Sequence, residues 1–357
     1  TFSKVWPPAG PPEAGNSPLL CSGIRYYKLT IHRDIQEKLH RLFRGYHGSF
    51  LLLDLSNGSI AAAYSKPLNK KKMAPNAVFF EEYEPASIIK VLTLFAYLKH
   101  DGGDLFPLDC KGNIRLSGKT FYDWIAHGRV SSYDEALAVS CNIAFARMGL
   151  KTGADKLTGV LEKFYFNSEN FRDLFLDFKT GTLKRDIAGD FHLAKLSVGL
   201  SNNNEKSRSR GERLVTTTTF HSALTAAFIA HDGAIYAPHL IENIKNLLNL
   251  GFYSHQKKLL EIFKENMIFL KIKEAMKAVV TSPGGTGRRS RVDFVETAVK
   301  TGTGGERRAG YDAILTGFFP AGKARYAFAF RLQRAGKAEL KGALFLKDFL
   351  KSFYNRK

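Results

Sequence analysis

The stretch EPASIIKVLTLFAYLKH, residues 84–100, carries the pattern that decides how the chain folds. Pro85 just before a helical run is typical of a helix start, and the residues that follow are apolar on nearly every face, which predicts a buried helix. A spacing of three places Ser87 and Lys90 on one face of that helix. Burial lowers the pKa of a lysine, and such an amine can take a proton from a serine hydroxyl. The pattern therefore predicts a serine nucleophile; the alternative is a helix-capping serine beside a lysine whose stem alone is buried.

A serine and a lysine three residues apart form a weak pattern by themselves, because Ser254 and Lys257 match it as well. That second pair lies in a polar stretch with no apolar helix behind it. The surroundings therefore favour Ser87 and Lys90 as the pair that carries chemistry.

A second candidate segment is Ser140-Cys141-Asn142, which lies between the apolar runs ALAV and IAFA. Two other Ser-x-Asn sequences, at residues 168–170 and 201–203, stand in polar, loop-like sequence. Only the first places polar side chains between two apolar helical segments, where buried polar groups need hydrogen-bond partners. Ser140 and Asn142 are therefore candidate site residues, and the alternative is a helix break with capping side chains.

The third segment is KTGT, residues 300–303, which ends a predicted strand and is followed by a glycine-rich turn. The Lys-Thr-Gly sequence recurs at residues 151–153, where it fits a helix end, and at residues 179–181, where it fits a basic turn. Only residues 300–303 hold a row of backbone amides at a sheet edge. Such amides can donate hydrogen bonds to a developing oxyanion.

Strand patterns at both ends of the chain bracket a helical middle. SFLLLDL and SIAAAYS flank an Asn57-Gly58 turn and predict a hairpin, and strand patterns return from VETAVKTGTGG onward. Between Pro85 and about Leu270 the periodicity is mainly helical. The chain therefore predicts an α/β fold of the α+β kind, with an antiparallel sheet from both chain ends, flanking helices and a helical lobe. Residues 1–26, rich in proline and glycine, are predicted to form a linker or edge segment, and residues 27–357 one domain.

The composition of the chain limits the classes of molecule that it is expected to bind. The chain has 53 Lys and Arg against 33 Asp and Glu, a formal charge of +20, which favours anionic partners and salt-sensitive association. Its basic runs, such as residues 70–72 and 288–291, are not interleaved with aromatic residues, so nucleic-acid binding is not expected.

Three scattered cysteines predict neither a disulfide framework nor a zinc site, although a Cys21–Cys110 bridge stays open. No stretch reaches 18 consecutive apolar residues, and the start at Thr1 points to an upstream segment removed by processing or design.

Taken in order, the three candidate segments resemble the motifs of the penicillin-binding protein and serine β-lactamase superfamily. These motifs are Ser87-x-x-Lys90, Ser140-x-Asn142 and Lys300-Thr301-Gly302. Passages outside them, among them LTIHRDIQEKL, AAFIAHDGAIYAPHL and ILTGFFPAG, also look like the transpeptidase domains of this family. The resemblance implies a β-lactamase/transpeptidase-like fold.

Three positions depart from the family pattern. Cys141 stands inside the second motif where a small polar residue is usual, and Val299 precedes the third where glycine is common. Thr216-Thr217 stands where a Thr-Pro pair is frequent. None of these removes a reacting group, but Cys141 and Val299 are expected to influence the shape of the acyl pocket.

The resemblance also implies catalytic roles. Lys90 takes the proton of Ser87, and Ser87 attacks the carbonyl between the last two D-alanines of a peptidoglycan stem peptide. Ser140 passes a proton to the leaving amine, Asn142 holds the substrate amide, and Lys300 keeps the pocket positive so that Lys90 stays neutral.

The remaining implied roles concern the third motif and the ligands. Thr301, Gly302 and Thr303 bind substrate, and the backbone amides of Ser87 and Thr303 form the oxyanion hole, without metal or cofactor. The implied activity is that of a D,D-transpeptidase or D,D-carboxypeptidase that binds β-lactams. The alternatives are a serine β-lactamase or β-lactam sensor, or a non-catalytic scaffold of the same fold. The implied location is outside the cytoplasm, near an anionic membrane surface, with an N-terminal anchor in the full-length protein.

Overall fold

The computed structural model describes residues 19–22, 25–68, 76–168, 171–173, 176–201, 213–246, 250–306 and 309–356. The predicted linker at residues 1–26 lies mostly outside these ranges, as do the basic runs at residues 70–72 and 307–308. The division of the chain at residue 26 stays a prediction.

The strands of the described ranges are, in chain order, β1 Leu19–Ser22, β2 Arg25–Leu29, β3 Gly48–Asp54, β4 Ser59–Lys66, β5 Leu108–Cys110, β6 Asn113–Leu116, β7 Lys119–Tyr122, β8 Gly128–Val130, β9 Phe171–Asp173, β10 Leu176–Phe178, β11 Ala234–Tyr236, β12 Ile241–Asn246, β13 Gly251–Ser254, β14 Leu259–Glu261, β15 Ala298–Glu306, β16 Gly310–Phe319 and β17 Tyr326–Leu332.

The α-helices of the described ranges are α1 Arg33–Leu42, α2 Ala77–Phe80, α3 Lys90–His100, α4 Tyr133–Ala138, α5 Asn142–Thr152, α6 Ala154–Lys163, α7 Gly189–Ser197, α8 Thr219–Ala230, α9 Asn266–Thr281 and α10 Ala343–Phe353. None of these described helices has both the length and the apolar character needed to cross a bilayer.

A five-stranded antiparallel sheet, in the order β15-β16-β17-β3-β4, forms the centre of the molecule. One pairing joins the two ends of the chain, because β17 runs along β3 from Tyr326 opposite Asp54 to Leu332 opposite Gly48. The predicted hairpin is present, since β3 pairs with β4 and Gly58 in the turn has a φ of +80°, a conformation that favours glycine. The prediction of an antiparallel sheet built from both chain ends is confirmed.

Helices cover both faces of this sheet, and two neighbouring residues of β3 show the two sides. The Phe50 ring packs against Phe349 of α10, with ring centroids 4.6 Å apart. Ser49 points the other way, and its Oγ lies 2.6 Å from Oγ1 of Thr219 in α8. Successive side chains of a strand point to opposite faces, and every residue of β3 is buried. A strand covered on both faces reads as a continuous apolar run, as SFLLLDL does.

The middle of the chain forms a helical lobe in which α3 contacts α5, α6 and α9. Helix α9 also packs on β15 and so connects the lobe to the edge of the sheet. The same region holds short strands that the sequence did not predict: β5 pairs with β8, and β6 with β7. Strands of three or four residues are too short for a two-residue period to stand out. The prediction of a mainly helical middle is therefore incomplete between residues 108 and 130, and again at residues 171–178 and 234–261, where β9 to β14 lie.

Candidate active site

The serine of the first motif lies on a tight turn that precedes the α-helix. A 3-10 helix spans Ala86–Ile89, and α3 begins at Lys90. Because a 3-10 helix has three residues per turn, Ser87 and Lys90 lie one above the other. Lys90 is fully buried, whereas Ser87 is half-buried, and its Oγ forms no hydrogen bond with any residue of the described ranges. The arrangement leaves the hydroxyl partly exposed to solvent.

Two glycines let the backbone close around this turn. Gly199 has a φ of +72°, and a Cβ there would lie 2.1 Å from the carbonyl oxygen of Ala86. A Cβ on Gly302 of β15 would lie 3.1 Å from the carbonyl oxygen of Pro85. Ala86 itself has a φ of +49°, a strained conformation for a residue with a side chain. The turn that presents Ser87 is therefore clamped between the segment after α7 and the strand β15.

The amine of Lys90 points into the second motif. Its Nζ lies 2.7 Å from the carbonyl oxygen of Ser140, 3.2 Å from Ser140 Oγ and 2.6 Å from Asn142 Oδ1. Burial lowers the pKa of Lys90 to about 8, against the opposing effect of the nearby Asp123 and Cys141. An amine with a pKa this close to neutrality can accept a proton from a neighbouring hydroxyl.

The second motif lies in the break between α4 and α5. Ser140 has a φ of +58°, in the left-handed region, and only 6% of its surface is exposed. Cys141 caps α5, since its Sγ accepts a hydrogen bond from the amide of Ala144 at 3.3 Å. The segment is thus a capped helix break that also turns a hydroxyl toward Lys90. Strained conformations of this kind concentrate at functional sites.

Lys300 reaches the same hydroxyl from β15, the edge strand of the central sheet. Its Nζ donates to Ser140 Oγ and to the carbonyl oxygen of Thr301, each at 2.9 Å. Burial lowers the pKa of Lys300 well below its ordinary value, and the charge of Lys90 lowers it further. Two buried amines therefore compete for protons around one hydroxyl.

The hydroxyls of the third motif differ in availability. Thr301 is buried and donates to Thr286 Oγ1 at 2.7 Å, and Thr286 in turn donates to the carbonyl oxygen of Ala138 at 3.2 Å. Thr303 is half-buried, and its Oγ1 accepts a hydrogen bond from the amide of Ala338 at 3.0 Å, an interaction that does not use the hydroxyl proton. Thr303 is therefore the better placed of the two to donate to a ligand.

A family model described as the penicillin binding protein transpeptidase domain matches residues 48–349, most of the chain. The chain belongs to this family. The match extends from β3 to α10, so it includes all three motifs and the whole central sheet.

Relatives of this transpeptidase domain include the peptidoglycan D,D-transpeptidase PbpA of Mycolicibacterium smegmatis, 28% identical over 56% of this chain and 43% of the relative. The stage V sporulation protein D of Bacillus subtilis is 25% identical over 77% of this chain and 44% of the relative. The chain spans less than half the length of these curated relatives.

Solved structures share the fold. The D,D-transpeptidase domain of a peptidoglycan glycosyltransferase from Eggerthella lenta superposes with a TM-score of 0.81 at 22% identity, over 92% of this chain and 82% of the other. PBPA of Mycobacterium tuberculosis superposes with a TM-score of 0.75 at 22% identity, over 91% and 80%.

The positions that depart from the usual pattern of the transpeptidase domain lie in the interior. Cys141 and Val299 are fully buried, so neither side chain reaches the surface beside Ser87. The amide of Thr217 donates a hydrogen bond to the carbonyl oxygen of Tyr83 at 2.8 Å, which a proline at that position could not do. These residues therefore act on the site through the packing behind it.

The competing sequence matches do not form a comparable cluster. Lys257 lies over the Tyr236 ring at 5.0 Å, and Lys179 pairs with Glu82 at 2.5 Å. Lys151 lies in the last turn of α5, as predicted for a helix end. The other two Ser-x-Asn sequences extend into residues outside the described ranges.

Two residues close to the motifs were not predicted from the sequence. Asp123, between β7 and β8, has a fully buried side chain behind the second motif. Thr286, between α9 and β15, holds the hydroxyl of Thr301. The contacts join residues 15 to 20 positions apart, and no periodicity or spacing marks either Asp123 or Thr286. Only the tertiary structure brings them to the site.

Proposed function

We propose that this domain is a D,D-transpeptidase that acts on the D-Ala-D-Ala end of peptidoglycan stem peptides through an acyl-enzyme at Ser87, and that it binds penicillin. One observation carries the proposal: Ser140 Oγ contacts the amines of both Lys90 and Lys300. Lys90 lies one helical turn after Ser87. A serine one turn before a lysine of lowered pKa, with a second hydroxyl that can relay a proton, suits nucleophilic acyl transfer. The name of the M. smegmatis relative supports the same activity.

In the acylation step, neutral Lys90 accepts the proton of Ser87 while Ser87 Oγ bonds to the carbonyl carbon between the two D-alanines. The backbone amides of Ser87 and Thr303 are the proposed donors to the oxyanion, and a donor of this kind contributes about 3 kcal/mol. The position of β15 supports this, because it is the edge strand and Gly302 lies against the turn that carries Ser87.

In the collapse of the oxyanion, Ser140 passes a proton to the leaving amine of the terminal D-alanine. Asn142 Oδ1 is engaged by Lys90, and its Nδ2 lies 3.5 Å from the Tyr122 carbonyl oxygen, too far for a strong bond. That amide group is therefore the proposed donor to a substrate carbonyl. Thr303 binds the terminal carboxylate, and Thr301 contributes by fixing the strand through Thr286.

The protonation state of the site without substrate depends on Lys90 and Lys300. Burial and the charge of Lys90 lower the pKa of Lys300, whereas Asp123 opposes the effect of burial at Lys90. Without substrate, Lys90 therefore holds a proton more readily than Lys300. A substrate carboxylate at Thr303 raises the pKa of Lys300 and so favours a positive pocket around Ser140 Oγ. Acylation then proceeds from the fraction of molecules in which Lys90 has released its proton to solvent.

The acyl group then passes to an amine of a second stem peptide, which gives a cross-link, or to water, which gives a trimmed peptide. Peptidoglycan lies outside the cytoplasmic membrane, so this function places the domain there, anchored at its N-terminus in the full-length protein. The formal charge of +20 suits an anionic membrane surface. Binding to anionic liposomes is expected to weaken as salt is raised, and binding that is unaffected by salt would contradict this part of the proposal.

A stem pentapeptide tests the reaction. We expect the domain to release D-alanine from a substrate ending in D-Ala-D-Ala and, with a second stem peptide as acceptor, to form a cross-linked product. Ser87→Ala abolishes release, whereas Ser254→Ala, which removes the competing serine, retains it. Rapid steady-state hydrolysis of nitrocefin without release of D-alanine would assign the domain to the β-lactamases instead.

A further inference from the structure

Asp123 is a buried carboxylate behind the second motif. Its side chain is 0% exposed, although it comes from the connection between the short strands β7 and β8. Its Oδ2 accepts hydrogen bonds from two thiols, those of Cys110 at 3.4 Å and Cys141 at 3.2 Å. The same oxygen accepts a hydrogen bond from the backbone amide of Ile143 at 3.1 Å. A charged group removed from water in this way needs such partners. Cys110 belongs to β5, and the other two, Cys141 and Ile143, belong to one segment of chain.

That segment is the start of α5, which carries the second motif. The amide of Ile143 lies in the first turn of the helix, where unpaired amides favour an anion. Cys141 connects the carboxylate to the helix, because its thiol donates to Asp123 and its Sγ accepts the amide of Ala144. Burial and the charge of Asp123 raise the pKa of the Cys141 thiol, which keeps the thiol protonated as a donor. Asp123 thus fixes the residue between Ser140 and Asn142.

We propose that Asp123 is a positioning residue for acylation: its buried carboxylate holds the segment 140–142 against Lys90 and serves as the counter-charge of that lysine. The inference rests on the proposed function and extends it to a residue outside the three motifs. It also accounts for Cys141, whose thiol supplies a donor to the carboxylate where the family usually has a small polar residue.

The proposed role of Asp123 as a counter-charge follows from the titratable groups that surround Asp123 and Lys90. Asp123 opposes the lowering of the Lys90 pKa by burial. Against the effect of burial, the contact with His127 and then the charge of Lys90 hold the pKa of Asp123 well below its usual range. His127 Nε2 lies 3.6 Å from Asp123 Oδ1. The titratable groups that face Lys90 or Asp123 from the described elements are Asp123, Lys90, Lys300, His127, Cys110 and Cys141. Removing the carboxylate charge therefore lowers the pKa of Lys90 further.

The test compares Asp123→Asn with Asp109→Asn, a change of an exposed aspartate on β5, next to Cys110. The rate of acylation by a chromogenic β-lactam is measured between pH 6 and pH 9.5. We expect Asp123→Asn to lower the maximal rate at least tenfold and to move the acid limb of the profile to lower pH. We expect Asp109→Asn to match the wild type in both respects. A lowered rate with an unmoved acid limb would mean a structural role only and would overturn the proposal, as would a wild-type profile.

A second measurement uses the wild type and so does not depend on the folding of a variant. The proposal requires both thiols to be protonated donors, so peptide mapping after denaturation in a thiol-alkylating reagent should find Cys110 and Cys141 free. A disulfide between them, or a stoichiometric metal ion retained by the native protein, would remove the donors and overturn the proposal. Failure of the wild type to acylate at all would overturn the proposed function and this role with it, whereas acylation with an unmoved limb in Asp123→Asn overturns this role alone.

Discussion

Lys90 is subject to two opposing influences, and their balance sets how it can act. Burial disfavours its charged form, while Asp123 favours it, and the result is a pKa of about 8. At this value the amine is mostly protonated at neutral pH but loses its proton at small cost. Its three contacts with the Ser140–Asn142 segment keep the nitrogen in place in either form.

The pH dependence of acylation tests this assignment at the residue scale. Because only the neutral amine can accept the Ser87 proton, the acylation rate is expected to rise about tenfold per pH unit below the pKa of Lys90 and to level off above about 8. Lys90→Arg, which stays charged, should lose the rise and about 10²- to 10⁴-fold of the rate. Lys151→Arg, in the last turn of α5, should behave as wild type. A flat profile from pH 6 to pH 9.5 would exclude Lys90 as the base.

At the scale of the element, the site depends on how closely a strand, a helix end and a turn approach one another. The turn Ala86–Ile89 lies against Gly302 of β15 on one side and against Gly199 after α7 on another. Both approaches are too close for a side chain to enter without movement of the turn. The position of Ser87 is therefore set by packing of backbone against backbone.

Gly199→Ala, compared with Gly189→Ala, separates this contact from ordinary backbone strain. Both glycines have positive φ, of +72° and +75°, so both changes carry a similar penalty of roughly 1–2 kcal/mol. Only at Gly199 does the new methyl group meet the carbonyl oxygen of Ala86, whereas nothing lies within 4 Å at Gly189. We expect acylation to fall at least tenfold for Gly199→Ala and to change little for Gly189→Ala. Equal acylation rates in the two variants would show that the contact does not position Ser87.

The elements of the site differ in how well they could be predicted. The apolar helix after Ser87 and the strand that carries Lys300 are regular, long segments, and their composition and length make them recognisable in the sequence. Asp123 lies between strands of four and three residues, which are too short for a period to develop. Its proposed role depends on its interactions with Lys90 and Cys141, which only the tertiary fold brings close to it. The lowered pKa of Lys90 followed from its apolar neighbours, but the counter-charge that limits the shift did not. Long-range polar contacts leave no pattern in the sequence near them.

At the scale of the whole molecule, the chain ends meet in the central sheet and the helical lobe packs against the sheet edge. The three motifs come from the lobe and from the edge strand, so the site exists only when the lobe and the sheet are assembled.

One buried titratable group near the central sheet is His221 of α8. Its Nδ1 accepts the amide of Gly181 at 2.9 Å, and its Nε2 donates to the carbonyl oxygen of Phe164 at 2.7 Å.

This histidine makes the stability of the fold depend on pH. Burial lowers the pKa of His221 from 6.5 to about 4, so the unfolded chain binds the proton more tightly than the folded one. The stabilisation is therefore complete above about pH 6.5 and is lost as the pH falls toward 4. Between pH 7 and pH 5 the contribution to the free energy of unfolding amounts to about 2 kcal/mol.

Urea denaturation at pH 7 and pH 5 measures this loss, with His221→Gln as the variant that cannot titrate. The variant is less stable at pH 7, because it replaces two buried hydrogen bonds imperfectly, but its decline between the two pH values should be about 2 kcal/mol smaller. An identical decline in wild type and variant would assign the acid sensitivity to other groups.

The proposed acyl-enzyme at Ser87 can be detected directly by mass spectrometry. The domain is incubated with penicillin, and the adduct is located by mass spectrometry of the intact protein and of its peptides. We expect one penicilloyl group per chain on the peptide that contains Ser87, none in Ser87→Ala, and unchanged labelling in Ser254→Ala. A wild type without adduct, or an adduct that persists in Ser87→Ala, would contradict this assignment.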